Sequence, residues 1–208
     1  MADSAYLTRL AIPDSGTVGD APRHSATVRI THWITALSFF GLLVSGVAII
    51  LAHPRFYWGE TGGVGGPSLF DLPLPFVLTG QTGWGRYLHF QSAWIFVLTG
   101  LLYVISGLLT GHFRKDLPSY RVLQRLTYRG VIFVLSPLTI WTGFAMSPAI
   151  ASVFPGIVTV FGGQQSARTI HFFTADLLVI FLFVHIAMVW RAGFKNRVGA
   201  MITGHSHE

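Results

Sequence analysis

The chain has 208 residues, 51% hydrophobic and only 11% charged, about half the charged fraction of an ordinary soluble domain. Its apolar residues gather in runs, which excludes a typical soluble enzyme and points to a bundle of membrane-spanning helices. It has no cysteine, which excludes structural disulfides, iron–sulfur clusters and covalent c-type haem in this chain. The net charge of +6 would suggest nucleic acid as a partner in a soluble protein. Here the basic residues sit in loops, where they report topology instead, and no nucleic-acid partner is expected.

The first thirty residues are polar and carry Pro13, Gly16, Gly19 and Pro22. Without an apolar core they read as a tail that turns helical near Ser25, not as a secretory signal. Four apolar spans follow, at Val28–Ala52, Tyr87–Thr110, Tyr128–Ser147 and Thr169–Trp190, each close to the ~20 residues a bilayer crossing needs. Pro137 inside the third is expected to kink it. Lysine and arginine are unevenly shared between the two faces. The N-terminal side, the span two–three loop and the C-terminal side hold eleven, whereas Arg55, Arg86 and Arg168 are the three on the other face. The positive-inside rule then places both termini in the cytoplasm. The long outer loop from His53 to Arg86 is glycine-rich, then apolar and proline-broken from Leu69 to Leu78. It reads equally well as an interfacial flap or as a docking surface for a partner.

Four of the nine histidines stand inside spans, where ionisable groups are costly and functional by default. Three share a pattern: Arg29-Ile-Thr-His32, Arg86-Tyr-Leu-His89 and Arg168-Thr-Ile-His171. Three helical residues return to nearly the same face, about 4.5 Å further on. An arginine at headgroup level therefore stands over a histidine just inside the hydrocarbon. Haem b answers to both, with an iron for the imidazole and propionates for the guanidinium. A single pair of this kind would be an anchoring arginine beside a hydrogen-bonded histidine; three in four spans favour haem.

His171 and His185 are fourteen residues apart on one helix, a rotation within about 40° of whole turns and a rise of about 21 Å. Both rings face one way at two depths. The direction of each span makes His89 and His171 outer and His32 and His185 inner, so only the pairs His89–His171 and His32–His185 match in depth. The expectation is two haem b groups per chain, each six-coordinate and suited to electron transfer. Gly46, Gly100 and Gly107 lie on ligand faces and could leave room for a flat macrocycle, although close helix packing explains them as well. His53 and His112 read as interfacial anchors, and His205 and His207 as solvated tail residues. Asp176, inside span four, could bind a propionate, relay a proton, pair with a partner subunit or meet a hydroxyl on another span.

On these residues the chain resembles the bacterial di-haem cytochrome b subunits of Ni-Fe hydrogenases, formate dehydrogenases and thiosulfate reductases. The carrying stretches are Arg29-x-x-His32-Trp33, Arg86-x-x-His89-Phe90, Arg168-x-x-His171, His185-Ile-Ala-Met-Val189, Tyr120-x-x-x-Gln124-Arg125 and Pro137-Leu-Thr-Ile-Trp-Thr-Gly143, over about residues 24 to 200. Four spans rather than five place it nearer the formate dehydrogenase gamma and thiosulfate reductase type. The resemblance implies an all-α integral membrane protein of the bacterial inner membrane, with a polar tail over 1–26, a four-helix transmembrane cytochrome b domain over 27–198 and a C-terminal tail over 199–208. It implies a redox partner subunit, such as a molybdopterin oxidoreductase, and a quinone as substrate or bound ligand. The segment from Tyr120 to Arg125 leads into span three on the cytoplasmic face, where Tyr120 and Gln124 share a side of a helix and can donate hydrogen bonds to quinone carbonyls. The same segment also suits headgroup anchoring. The haem ligands expected are His32, His185, His89 and His171, with Arg29, Arg86 and Arg168 for propionates. Two other functions compete: a stand-alone di-haem quinone oxidoreductase acting on a small diffusible reductant, and a metal transporter. The arginines above the histidines would repel cations and argue against the transporter.

Overall fold

The computed structural model describes residues 24–60, 66–74, 77, 82–111 and 122–205. Tyr120, His112 and His207 lie outside the described residues. Among those described, four helices are long and apolar enough to cross a membrane. Helix α1 (Ala26–Ala52) begins at Ser25, whose side chain accepts from the Val28 N–H, the usual way a serine satisfies a free donor of the first turn. Helix α2 covers Thr82–Thr110. Helix α3 (Val122–Gly130) runs through a π-helical turn at Val131–Leu135 into α4 (Ser136–Met146). Short helices α5 (Pro148–Val153) and α6 (Gly156–Val160) lead from α4 to α7 (Gln164–Arg191). Helix α8 (Phe194–Thr203) closes the described chain.

These bounds extend the sequence reading in physically sensible ways. Spans two and four start about a turn earlier than hydropathy suggests, so Arg86 and Arg168 stand within their helices. Just before Pro137, where a kink is expected, the chain carries the π turn. Proline removes one N–H and crowds the carbonyl four residues back, and a wider turn absorbs both. The C-terminal boundary at 198 falls inside α8, so the segment expected as tail from 199 onward begins as helix.

The bundle is two helix pairs. Helix α1 lies along α2, and α4 along α7, with few close approaches between the pairs. Small residues make each pair possible, because lipid offers no hydrophobic drive and close backbone packing must substitute. Ser38, Ser45 and Ala48 on α1 and Ser92 and Thr99 on α2 are buried. A Cβ at Gly41 would collide with Ser92, and one at Gly85 would press on Ala48 at 3.3 Å. Thr142 and Ala145 on α4 are fully buried with Ala167 on α7.

A two-residue hairpin, β1 (Arg55–Phe56) with β2 (Phe70–Asp71), folds the outer loop. Buried Phe56 stacks on Phe70 and packs on Phe172 of α7. The Gly59 carbonyl accepts from the N–H groups of Gln165 and Ser166, and Ser166 Oγ in turn accepts from the Gly59 N–H. The loop thereby caps the free donors at the start of α7. Gly163, at φ +115°, sits so close that any Cβ would overlap the Gly59 backbone.

Candidate functional site

The two histidine pairs matched by depth meet in space. The ring centroids of His89 on α2 and His171 on α7 are 6.2 Å apart, and those of His32 on α1 and His185 on α7 are 6.3 Å apart. Both pairs bridge the gap between the two helix pairs. With metal–imidazole bonds of about 2.0–2.1 Å and a ring nitrogen about 1.1 Å from its own centroid, imidazoles on opposite sides of one metal stand about 6.3 Å apart. The observed spacings fall within the range of edge-on ring pairs and equal that expected with a single atom between the rings.

Hydrogen bonds orient the rings. His171 Nδ1 lies 2.9 Å from the Thr139 carbonyl and 3.1 Å from Thr142 Oγ1. A carbonyl only accepts, so Nδ1 carries the proton and the lone pair resides on Nε2. Thr142 Oγ1 donates to the carbonyls of Leu138 and Thr139, which leaves its own lone pair for the ring. His89 Nδ1 is 3.0 Å from Ser45 Oγ, whose proton goes to Gly41 O at 2.7 Å. By the same logic His89 donates from Nδ1. His185 Nδ1 is 3.2 Å from the Tyr128 hydroxyl. Such partners fix tautomer and orientation in metal-binding histidines. Sequence reasoning missed Ser45, Thr139, Thr142 and Tyr128. The Pro137–Gly143 stretch stands out in the sequence, but nothing in it says which hydroxyl meets which ring.

The surroundings suit a flat ligand. A Cβ at Gly143 would press on His171 Cε1 at 3.4 Å, while Gly46 and Gly100 face open space with no atom within 4 Å of a Cβ position.

The three arginines differ. Arg29 Nη1 donates to the Ile202 carbonyl at 2.7 Å, beside Trp33 Nε1 on the Met201 carbonyl at 3.1 Å. Together they satisfy late carbonyls of α8. Arg29 Nε is buried without a partner among the described residues, one turn from His32. Arg86 is exposed at the mouth of α2. Arg168 donates to the Arg55 and His53 carbonyls and stacks over Phe56, so two of its nitrogens serve the outer loop. Burial, then Arg168, then Arg86 hold the His53 imidazole below its ordinary pKa. His53 therefore stays neutral at pH 7, without a second histidine at ligand spacing among the described residues. Gln124 stands in the first turn of α3.

The donor set fits haem b: His89 and His171 with free Nε2 positions, His32 and His185 at the same spacing, small residues near them, and an unsatisfied guanidinium nitrogen on the residue one turn before His32. Comparison with known proteins agrees. The chain is 27% identical over 212 residues to a putative protein-methionine-sulfoxide reductase subunit YedZ1 of Azospira oryzae, covering 88% of this chain and 96% of the relative. It is 23% identical over 246 residues to a probable Ni/Fe-hydrogenase B-type cytochrome subunit of Cupriavidus necator, covering 99% and 94%. The sequence profile of the prokaryotic cytochrome b561 family matches residues 23–204. With its apolar helices and facing histidines, the chain belongs to the prokaryotic cytochrome b561 family and is a multi-pass membrane protein of haem-b electron transfer.

Proposed function

We propose that the chain holds two haem b groups, His89 and His171 binding the outer one and His32 and His185 the inner one. The observation that carries this is the pair of imidazole couples at metal-bridging spacing, one at each end of α7's ligand face. Held by such histidine pairs, haem b would supply reversible one-electron chemistry. The protein's part is to hold the rings through Ser45, Thr139, Thr142 and Tyr128 and to exclude water between apolar helices. Arg29 and Arg86 balance propionate charge at the wet ends; Arg168 does so with whatever the outer loop leaves it. A transporter for bare transition-metal ions would ask for three or four protein donors, whereas the described residues bring two imidazoles to each place.

On this reading the chain passes electrons between a partner oxidoreductase on the outer side and the quinone pool of the bacterial inner membrane. The excess of basic residues puts both termini in the cytoplasm. Tyr120 and Gln124, on that side, bind the quinone. Both relatives are described as subunits of a larger enzyme, a reductase and a hydrogenase. That favours a subunit role here, with a molybdopterin oxidoreductase as the partner in view. Haem content and the reduced-minus-oxidised spectrum of the purified wild-type chain, His171→Ala and His185→Ala test the assignment. Two haems per chain are expected, falling to one in each variant with a different band lost. A wild-type content of one, or variants that keep two, refutes the pairing.

A further inference from the structure

Asp176 stands near the middle of α7, about as far from Gln164 as from Arg191, and so near the bilayer midplane. At about 100° per residue it points some 160° away from the mean direction of His171 and His185. It is exposed, with no hydrogen bond or ion pair among the described residues. Its helical neighbours Phe173, Leu177, Ile180 and Phe183 are all more than half exposed. The side of α7 opposite the histidines is therefore an apolar stripe with one carboxyl group at its centre.

Lipid tails cannot hydrogen-bond a carboxyl group, and intramembrane acids face protein or water in nearly all known cases. We propose that this stripe docks a transmembrane helix of another polypeptide, one that presents a lysine or arginine at the midplane. The charge chooses the occupant. A second copy packed on the same stripe about a two-fold axis would set Asp176 against Asp176, two carboxyl groups that cannot both ionise, and Phe173, Leu177, Ile180 and Phe183 supply no positive charge. A foreign helix with a central donor satisfies the acid and covers the apolar side chains together. The inference depends only on the membrane placement of α7 and is independent of haem number.

The test uses the haem-loaded full chain in phosphatidylcholine nanodiscs. The probes are designed polyleucine transmembrane peptides with one central lysine, one central aspartate or none. Association is read by energy transfer to a dye on a cysteine introduced at Ile202, the chain having no other cysteine. The lysine peptide should bind about three- to tenfold more tightly than the all-leucine peptide, the range expected for one interhelical hydrogen bond in a membrane. Asp176→Leu should abolish that preference while its haem spectrum stays that of the wild type. A separate Ile180→Cys variant should remain monomeric under oxidation. Equal binding of the three peptides, a lysine preference that survives Asp176→Leu, or a disulfide-linked Ile180→Cys dimer would each overturn the proposal. The first two would leave the stripe to lipid, the third to a second copy. An altered haem spectrum in Asp176→Leu would overturn the placement of Asp176 away from the histidines.

Discussion

Thr142→Val removes one oxygen from the hydrogen-bonding of His171 and leaves the side-chain shape. Thr142 is fully buried, and valine fills the same space. The Thr139 carbonyl, at 2.9 Å, still accepts from Nδ1, so the ring keeps its tautomer and the site keeps its haem. What is lost is one of two acceptors on a single N–H. A hydrogen bond of this kind contributes about 0.5–1.5 kcal/mol. If all of it distinguished the two oxidation states, the one-electron potential would move by about 20–60 mV, at 59 mV per tenfold. That is an upper bound, because the bond stabilises both states. The direction is upward: an acceptor on Nδ1–H makes the imidazole a stronger donor and favours oxidised iron. Spectroscopic redox titration should show one haem rising and the other unmoved, and the moving band should be the one missing in His171→Ala. No shift, a downward shift, or movement of the band missing in His185→Ala would refute the argument.

Arg29→Leu should lower the potential of the haem held by His32 and His185, since removing a nearby positive charge disfavours the reduced state; a redox titration identical to wild type would leave Arg29 as a clamp on α8 alone. Gln124→Leu should slow quinone reduction severalfold with both haems bound and reducible from the outer side, and unchanged turnover with a water-soluble quinone would remove Gln124 from the site. Gly163→Ala combines a left-handed backbone position with overlap on the Gly59 backbone and should destabilise the outer loop by about 1–3 kcal/mol, seen as faster proteolysis between Tyr57 and Phe70; an unaltered cleavage rate would mean that the contact is dispensable.

Much of this molecule is legible in one dimension because a bilayer is a simple solvent. Every backbone polar group within it must be satisfied locally, so an apolar run of bilayer length is a helix. Four such runs and the basic loops were therefore readable directly. Which histidine rings stand near one another was readable too, because helices crossing a slab convert sequence position into depth. His89 can match only His171, and His32 only His185. Lateral position has no such code. Which hydroxyl meets which ring depends on how helices are rotated and spaced, and only the folded pairs bring Ser45 to His89, Thr142 to His171 and Tyr128 to His185. The same holds for Arg168, equivalent in sequence to Arg29 and Arg86 but drawn to the carbonyls of a loop more than a hundred residues away. Asp176 was the converse case: rotation along α7 turned it from the histidines, and the arrangement of the helix pairs then left that side of α7 uncovered. Periodicity along a helix gives a residue its direction; what lies in that direction is decided by contacts between distant segments.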